Sequence, residues 1–139
     1  MASRITVAEF HEIIRDSLPF AQGLAPEIVK LDVARTVIRM PYRDDFLRPG
    51  GTISGPLLMG LADLAMYAIV LAAVGRVELA VTTSLTIDFL KKPPPGDVRA
   101  EARLLKLGKR LAVGEVELFS AQDPDMVAHV TATYSLPPR

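Results

Sequence analysis

Between Pro56 and Val74 nearly every residue is apolar, yet one carboxylate, Asp63, stands near the middle of the run. About 19 apolar residues are long enough to span a bilayer as a helix. The run can therefore be a membrane span with a flaw, a core helix carrying a buried acid, or part of an active site. The downstream segments decide against the membrane. They have one apolar face that needs cover, and a single short N-terminal helix is too small to supply it. The flanks of the run also lack the Lys/Arg and aromatic anchors that mark a bilayer interface. The sequence thus predicts a core helix.

The rest of the chain is organised around that helix. Val7, Phe10, Ile13, Ile14 and Leu18 recur at helical spacing over Thr6 to Leu18, and Thr6 with Glu9 forms a capping-box pattern. After Pro19 and Gly23 come two strand-like stretches, Glu27 to Leu31 and Val33 to Met40. A loop, PYRDDFLRPGGTISGP, leads into the helix. Beyond the helix the period becomes two and stays there. Leu79, Val81, Leu85, Ile87 and Phe89 share one face, with Thr82, Ser84, Thr86 and Asp88 opposite. KKPPPGD is a rigid turn. Val98, Ala100, Ala102 and Leu104 face in on the next strand, then Ala112, Val116 and Leu118, then Met126, Ala128, Val130, Ala132 and Tyr134. The order is helix, two strands, long apolar helix and four antiparallel strands: an α+β chain, read as a single domain over residues 1–139.

Composition removes several functions. Sixteen Lys and Arg balance sixteen Asp and Glu, so there is no basic footprint for nucleic acid. No cysteine is present, which excludes a disulfide framework, a thiolate metal site and a cysteine nucleophile. With only two histidines, His11 and His129, neither a dedicated zinc site nor a catalytic triad is expected, and there is no P-loop or dinucleotide fingerprint. The opening MASRITVAEFHEII is interrupted by Glu9, His11 and Glu12 and has no apolar stretch of signal-peptide length, so a cytoplasmic location is expected.

A buried carboxylate needs a partner, and within two turns of Asp63 the helix offers no Lys, Arg or His. Two readings stay open: an acid at a solvent-facing or dimer-facing helix edge, or a base or nucleophile at the mouth of an apolar pocket. The preceding residues favour the second. Gly50, Gly51 and Gly55 bring flexible backbone against the helix start, Pro56 suits its first turn, and Ser54 or Gly55 can cap it. The free N–H groups and the positive end of the helix dipole make an oxyanion site there. Asp63 lies roughly 12 Å further along by helix rise, so the two features can meet only across a dimer of antiparallel helices.

RPGGTISGPLLMGLADLAMY resembles the motif of the PaaI-type acyl-CoA thioesterases, N-P-x-G-x-x-H-G-G followed by A-L-A-D, and TTSLTIDFLKKPPPGDVRAEARLLKLGKRLAVGEVEL continues the likeness from strand to turn to strand. The resemblance covers about Arg35 to Tyr134. It implies a hotdog fold, an antiparallel sheet wrapped around one long central helix, and hydrolysis of acyl- or aryl-CoA thioesters by a homodimer, with a tetramer as the next assembly up. By position, Asp63 falls on the catalytic carboxylate and Gly55 on the glycine whose N–H polarises the thioester carbonyl. Three positions depart from the motif: Ser54 replaces the His, Pro56 the second glycine, and Arg48 the Asn. Tyr67 stands where several relatives carry a water-placing Ser or Thr.

The resemblance also makes the basic turn residues Lys91, Lys92, Lys109 and Arg110 candidates for the coenzyme A phosphates. Thr82, Thr83 and Ser84 can line the groove, together with Arg48, Pro56 and Phe89, and Met59 with its apolar neighbours suits an acyl or aryl tail. No metal or redox cofactor is implied. The competing function is a module of the same fold that binds acyl-CoA without cleaving it. A hotdog dehydratase ranks below both, because no histidine lies near the helix or its loop.

Overall fold

The computed structural model describes residues 2–121 and 123–138 and has the expected α+β arrangement. Helix α1, Val7–Ser17, starts at a complete capping box: Thr6 Oγ1 accepts from the Glu9 N–H and Glu9 Oε1 accepts from the Thr6 N–H, both at 3.0 Å. Its buried stripe is Phe10, Ile13 and Ile14. A short helix not anticipated from the sequence, α2, Pro19–Gly23, comes directly after it with Pro19 in its first turn. Strands β1, Glu27–Lys30, and β2, Thr36–Met40, come next.

The loop before the long helix is more ordered than its composition suggests. A 3₁₀ turn at Asp44–Phe46 leads to a two-residue hairpin of β3, Leu47–Arg48, and β4, Thr52–Ile53. Gly50 and Gly51 close it at φ +99° and +77°, values that carry little penalty only without a Cβ. Helix α3, Gly55–Val74, begins at the N-cap Ser54 and ends at Gly75. Then come β5, Val81–Phe89, β6, Val98–Leu107, β7, Leu111–Ser120, and β8, Met126–Ser135.

Six strands form one antiparallel sheet in the order β1-β2-β6-β7-β8-β5. Its inner face wraps α3, whose Leu61, Ala62, Ala65, Met66, Ala68, Ile69 and Ala72 are fully buried. The helix is long and apolar enough to cross a membrane, but the sheet already covers it. β5 is one of the two edge strands, and among the described residues no strand pairs with the outer side of its nine residues. Here the sequence reading needs correction. The β5–β8 register slips between Thr82 and Ser84, and this bulge turns Thr82 onto the face of Leu85 and Ile87. Leu79 and Val81, expected inside, are 81% and 56% exposed.

One close approach governs how tightly sheet and helix pack. A Cβ at Gly114 of β7 would lie 2.7 Å from Met66 Sδ and 2.8 Å from the Arg103 carbonyl oxygen. Methionine can move, but the strand backbone cannot without spreading the β6–β7 ladder. Gly114→Ala is therefore expected to destabilise the protein by about 1–3 kcal/mol, the usual cost of overpacking. Denaturant unfolding checks this, and unchanged stability would refute the packing argument.

Candidate active site

Residues Gly60, Asp63, Leu64 and Tyr67 recur at i, i+3, i+4 and i+7 and form the strip of α3 that the sheet leaves uncovered. They line a cavity of about 350 Å³, closed by the α1–α2 junction on one side and by Ala80, Val81, Thr82 and Tyr134 on the other. Phe20 of α2 lies over the helix here. A Cβ at Gly60 would sit 2.5 Å from its ring, so a larger residue there would push the exposed Phe20 ring off the helix.

Asp63 is half-buried and has the partners that α3 could not supply. Thr82 Oγ1 donates to Asp63 Oδ1 at 2.7 Å. Tyr134 OH reaches the same oxygen at 2.7 Å and the Asp63 carbonyl oxygen at 3.0 Å. Tyr134 is buried, and burial followed by the Asp63 charge pushes its phenol well above the ordinary range, so it keeps its proton and acts as a donor. Tyr67 also lines the cavity, but its hydroxyl is committed to the Glu78 carbonyl at 3.0 Å. Burial pushes Tyr67 up to about 12.

A second cavity of about 440 Å³ opens at the start of α3, between Arg48, Gly55, Leu58, Phe89, Lys91 and Lys92 among others. Its donor inventory is small. Pro56 has no N–H, and the N–H groups of Leu57 and Leu58 bond the Ser54 carbonyl at 3.2 and 3.4 Å. Among the described residues that leaves the Gly55 N–H as the available backbone donor of the first turn. The Ser54 side chain makes no capping bond, so its place at the N-cap rests on its extended backbone. The Phe89 ring covers Gly55 so closely that a Cβ there would lie 3.1 Å from it. Lys91 is paired with Asp123, and with Asp125 at 3.7 Å.

The candidate residues thus fall into two groups. Asp63 and Tyr67 share the first cavity; Arg48, Gly55, Phe89 and Lys91 share the second. Lys109 and Arg110 stand at the β6–β7 turn and line neither cavity, and the exposed Pro56 and Met59 also lie outside both. Ser84 is exposed on β5, and Thr83, at the bulge, donates to the Thr133 carbonyl at 3.2 Å. The sequence reading missed Phe20 and the partnership of Thr82 and Tyr134 with Asp63. One signal was available: a tyrosine among the inward residues of a strand must find a partner for its hydroxyl.

Comparison with known proteins now places the chain. Residues 50–127 match the model of the thioesterase superfamily, and the chain belongs to that family. A crystal structure of a candidate thioesterase from Silicibacter sp. TM1040 is 43% identical, covers 99% of this chain and 96% of its own, and superposes with a TM-score of 0.88. A mutant form of the phenylacetic acid degradation protein PaaI from Thermus thermophilus is 28% identical over 86% of this chain and 99% of its own, with a TM-score of 0.76. A candidate esterase of Saccharolobus solfataricus is 26% identical over 83% of this chain and 81% of its own length. The fold is the hotdog fold, and the chemistry of the family is thioester hydrolysis.

The two buried phenols predict an alkaline limit to stability. A phenol raised above the ordinary value of about 10 favours the neutral form in the folded protein, so its contribution is full below pH ~10 and is lost as pH climbs toward the folded value. For Tyr67 that window is about pH 10 to 12. The melting temperature should fall across it, and less steeply in Tyr67→Phe. Parallel slopes for the two proteins would contradict this.

Proposed function

We propose that the protein is a homodimer that hydrolyses acyl- or aryl-CoA thioesters, with Asp63 as general base or nucleophile and the partner subunit's Gly55 N–H as oxyanion donor. The observation that carries the reading is the half-buried Asp63 carboxylate, tethered through one oxygen and facing an apolar cavity. Charge of this kind in such a place suits proton abstraction.

The edge strand supports the dimer. β5 begins beside Asp63 at Thr82 and ends beside Gly55 at Phe89. Its unpaired edge is a template for a second chain, and a two-fold axis through antiparallel β5 strands sets the Thr82 end of one against the Phe89 end of the other. The first cavity of each subunit then adjoins the second cavity of its partner. This removes the separation of roughly 12 Å between Asp63 and Gly55 within one chain.

In the reaction, Asp63 takes a proton from water as its oxygen attacks the thioester carbon, or attacks that carbon directly. The carbonyl oxygen becomes an oxyanion and accepts from the Gly55 N–H at the positive end of α3. The C–S bond then breaks: in the general-base route the thiolate takes the proton that Asp63 held, and in the direct route, where Asp63 holds none, it leaves as thiolate and takes its proton from solvent. In the direct route water then hydrolyses the acyl-Asp63 anhydride. The acyl group lies against Phe20 and Leu64; Arg48 and Lys92 stand where the carrier's phosphates exit, with Lys91 beside them.

Binding without turnover is the second reading, favoured by the loss of one N–H donor at Pro56. Thiol release from short, medium, long and aryl acyl-CoAs separates the two. Hydrolysis should appear in the wild type and drop by about 10²–10⁴-fold in Asp63→Asn; full activity in the variant would overturn the mechanism, and binding without thiol release would select the second reading.

A shared site has its own signature. Gly55→Pro removes the N–H at a first-turn position that accepts proline, after a residue already extended. Mixed with Asp63→Asn subunits, it should form hybrids with one intact site, restoring about a quarter of the wild-type rate in a statistical mixture. No recovery in confirmed hybrids would place the site within one subunit.

A further inference from the structure

We infer that Thr82 and Tyr134 are positioning residues that hold the Asp63 carboxylate by one oxygen and leave the other, Oδ2, as the atom that reacts; the inference rests on the hydrolytic reading of Asp63. Both hydroxyls converge on Oδ1 at 2.7 Å. Among the described residues none donates to Oδ2. The two donors come from adjacent strands, where Thr82 and Tyr134 are direct cross-strand partners, so the sheet presents them as a pair.

The bulge is what brings the threonine there. Leu85 and Ile87 face inward on β5, and strict alternation back from them would point Thr83 and Val81 at the helix and Thr82 away. The slip between Thr82 and Ser84 reverses the order for the residues before it. Bulges often re-aim a side chain beside a functional site, and here one places a hydroxyl against the carboxylate. Tyr134 holds Asp63 twice, through side chain and main chain, with a single hydroxyl. This couples the carboxylate's orientation to the backbone of α3.

Two charge-assisted bonds to one oxygen fix the plane of a carboxylate. Oδ2 then takes the proton from water, or forms the bond to the thioester carbon, and in the general-base route it returns the proton to the sulfur as the C–S bond breaks. Neither hydroxyl exchanges a proton in these steps. Their effect is geometric, and misplacement of a reacting group by about 1 Å can cost on the order of 10²-fold in rate.

The test uses the full chain with Thr82→Val, Thr82→Ser and Tyr134→Phe, measuring thiol release from the best substrate of the wild type. Valine keeps the branched shape and phenylalanine keeps the ring, and thermal melts confirm that each variant is folded. The expected result is a kcat lower by about 10- to 100-fold in Thr82→Val and Tyr134→Phe, with KM changed by less than about threefold. Thr82→Ser should recover most of kcat. The double variant should lose little more than the worse single one, because both donors act on one oxygen. A merely structural role would lower the melting temperature and leave kcat intact, and wild-type kcat in both variants overturns the inference while leaving the hydrolytic reading in place. If the wild type releases no thiol from any thioester, that reading fails separately. Positioning is then read from the ¹³Cγ resonance of Asp63, assigned with Asp63→Asn: displacement of the resonance in both variants supports the tether, and an unmoved resonance refutes it.

Discussion

A helix that is apolar on every side is stable only where something surrounds it, and most of this molecule follows from surrounding α3. A flat sheet would cover one side. The six antiparallel strands instead curve around the helix, with α1 and α2 closing part of the remainder. Small residues make the wrap tight: Ala62, Ala65, Ala68 and Ala72 on the helix and Gly114 on β7 let backbones approach. The strip that is left, Gly60 to Tyr67, becomes the wall of a cavity because no strand remains to cover it.

A carboxylate on that strip would be costly if desolvated alone. It persists because the sheet supplies two hydroxyl donors to one of its oxygens beside the cavity. The same burial that makes the cavity apolar keeps both tyrosines protonated. Their roles nevertheless differ, since Tyr134 is spent on Asp63 and Tyr67 on the Glu78 carbonyl. At the far end of β5 the backbone donors of the helix start narrow to the Gly55 N–H, beneath a phenylalanine ring. Two incomplete half-sites at the ends of one unpaired strand are the physical basis for proposing a dimer.

Much of this was legible from the sequence. Period-two patterns located the last four strands, the capping box placed α1, and the apolar run with its flanking glycines placed α3, because each depends on contacts a few residues apart. The resemblance of RPGGTISGPLLMGLADLAMY to thioesterase motifs pointed to the family that the comparison establishes. The failures were of another kind. The bulge at Thr83 depends on register against β8, which no local pattern encodes, and it carried Val81 out and Thr82 in. Helix α2 and the hairpin at Gly50–Gly51 are too short to show a period.

The amino-acid sequence alone determined that α3 is the core, that a one-faced antiparallel sheet must cover it, and that an acid sits on a helix with no partner of its own. Those conclusions rest on hydrophobic periodicity and on the cost of an unpaired buried charge, which are properties of short segments. Only the tertiary structure decided which hydroxyls answer that charge, which oxygen they bond, and that Asp63 and Gly55 line separate cavities. These depend on strand register and on residues 19 and 71 positions from Asp63 along the chain, where side chains meet because the sheet closes around the helix.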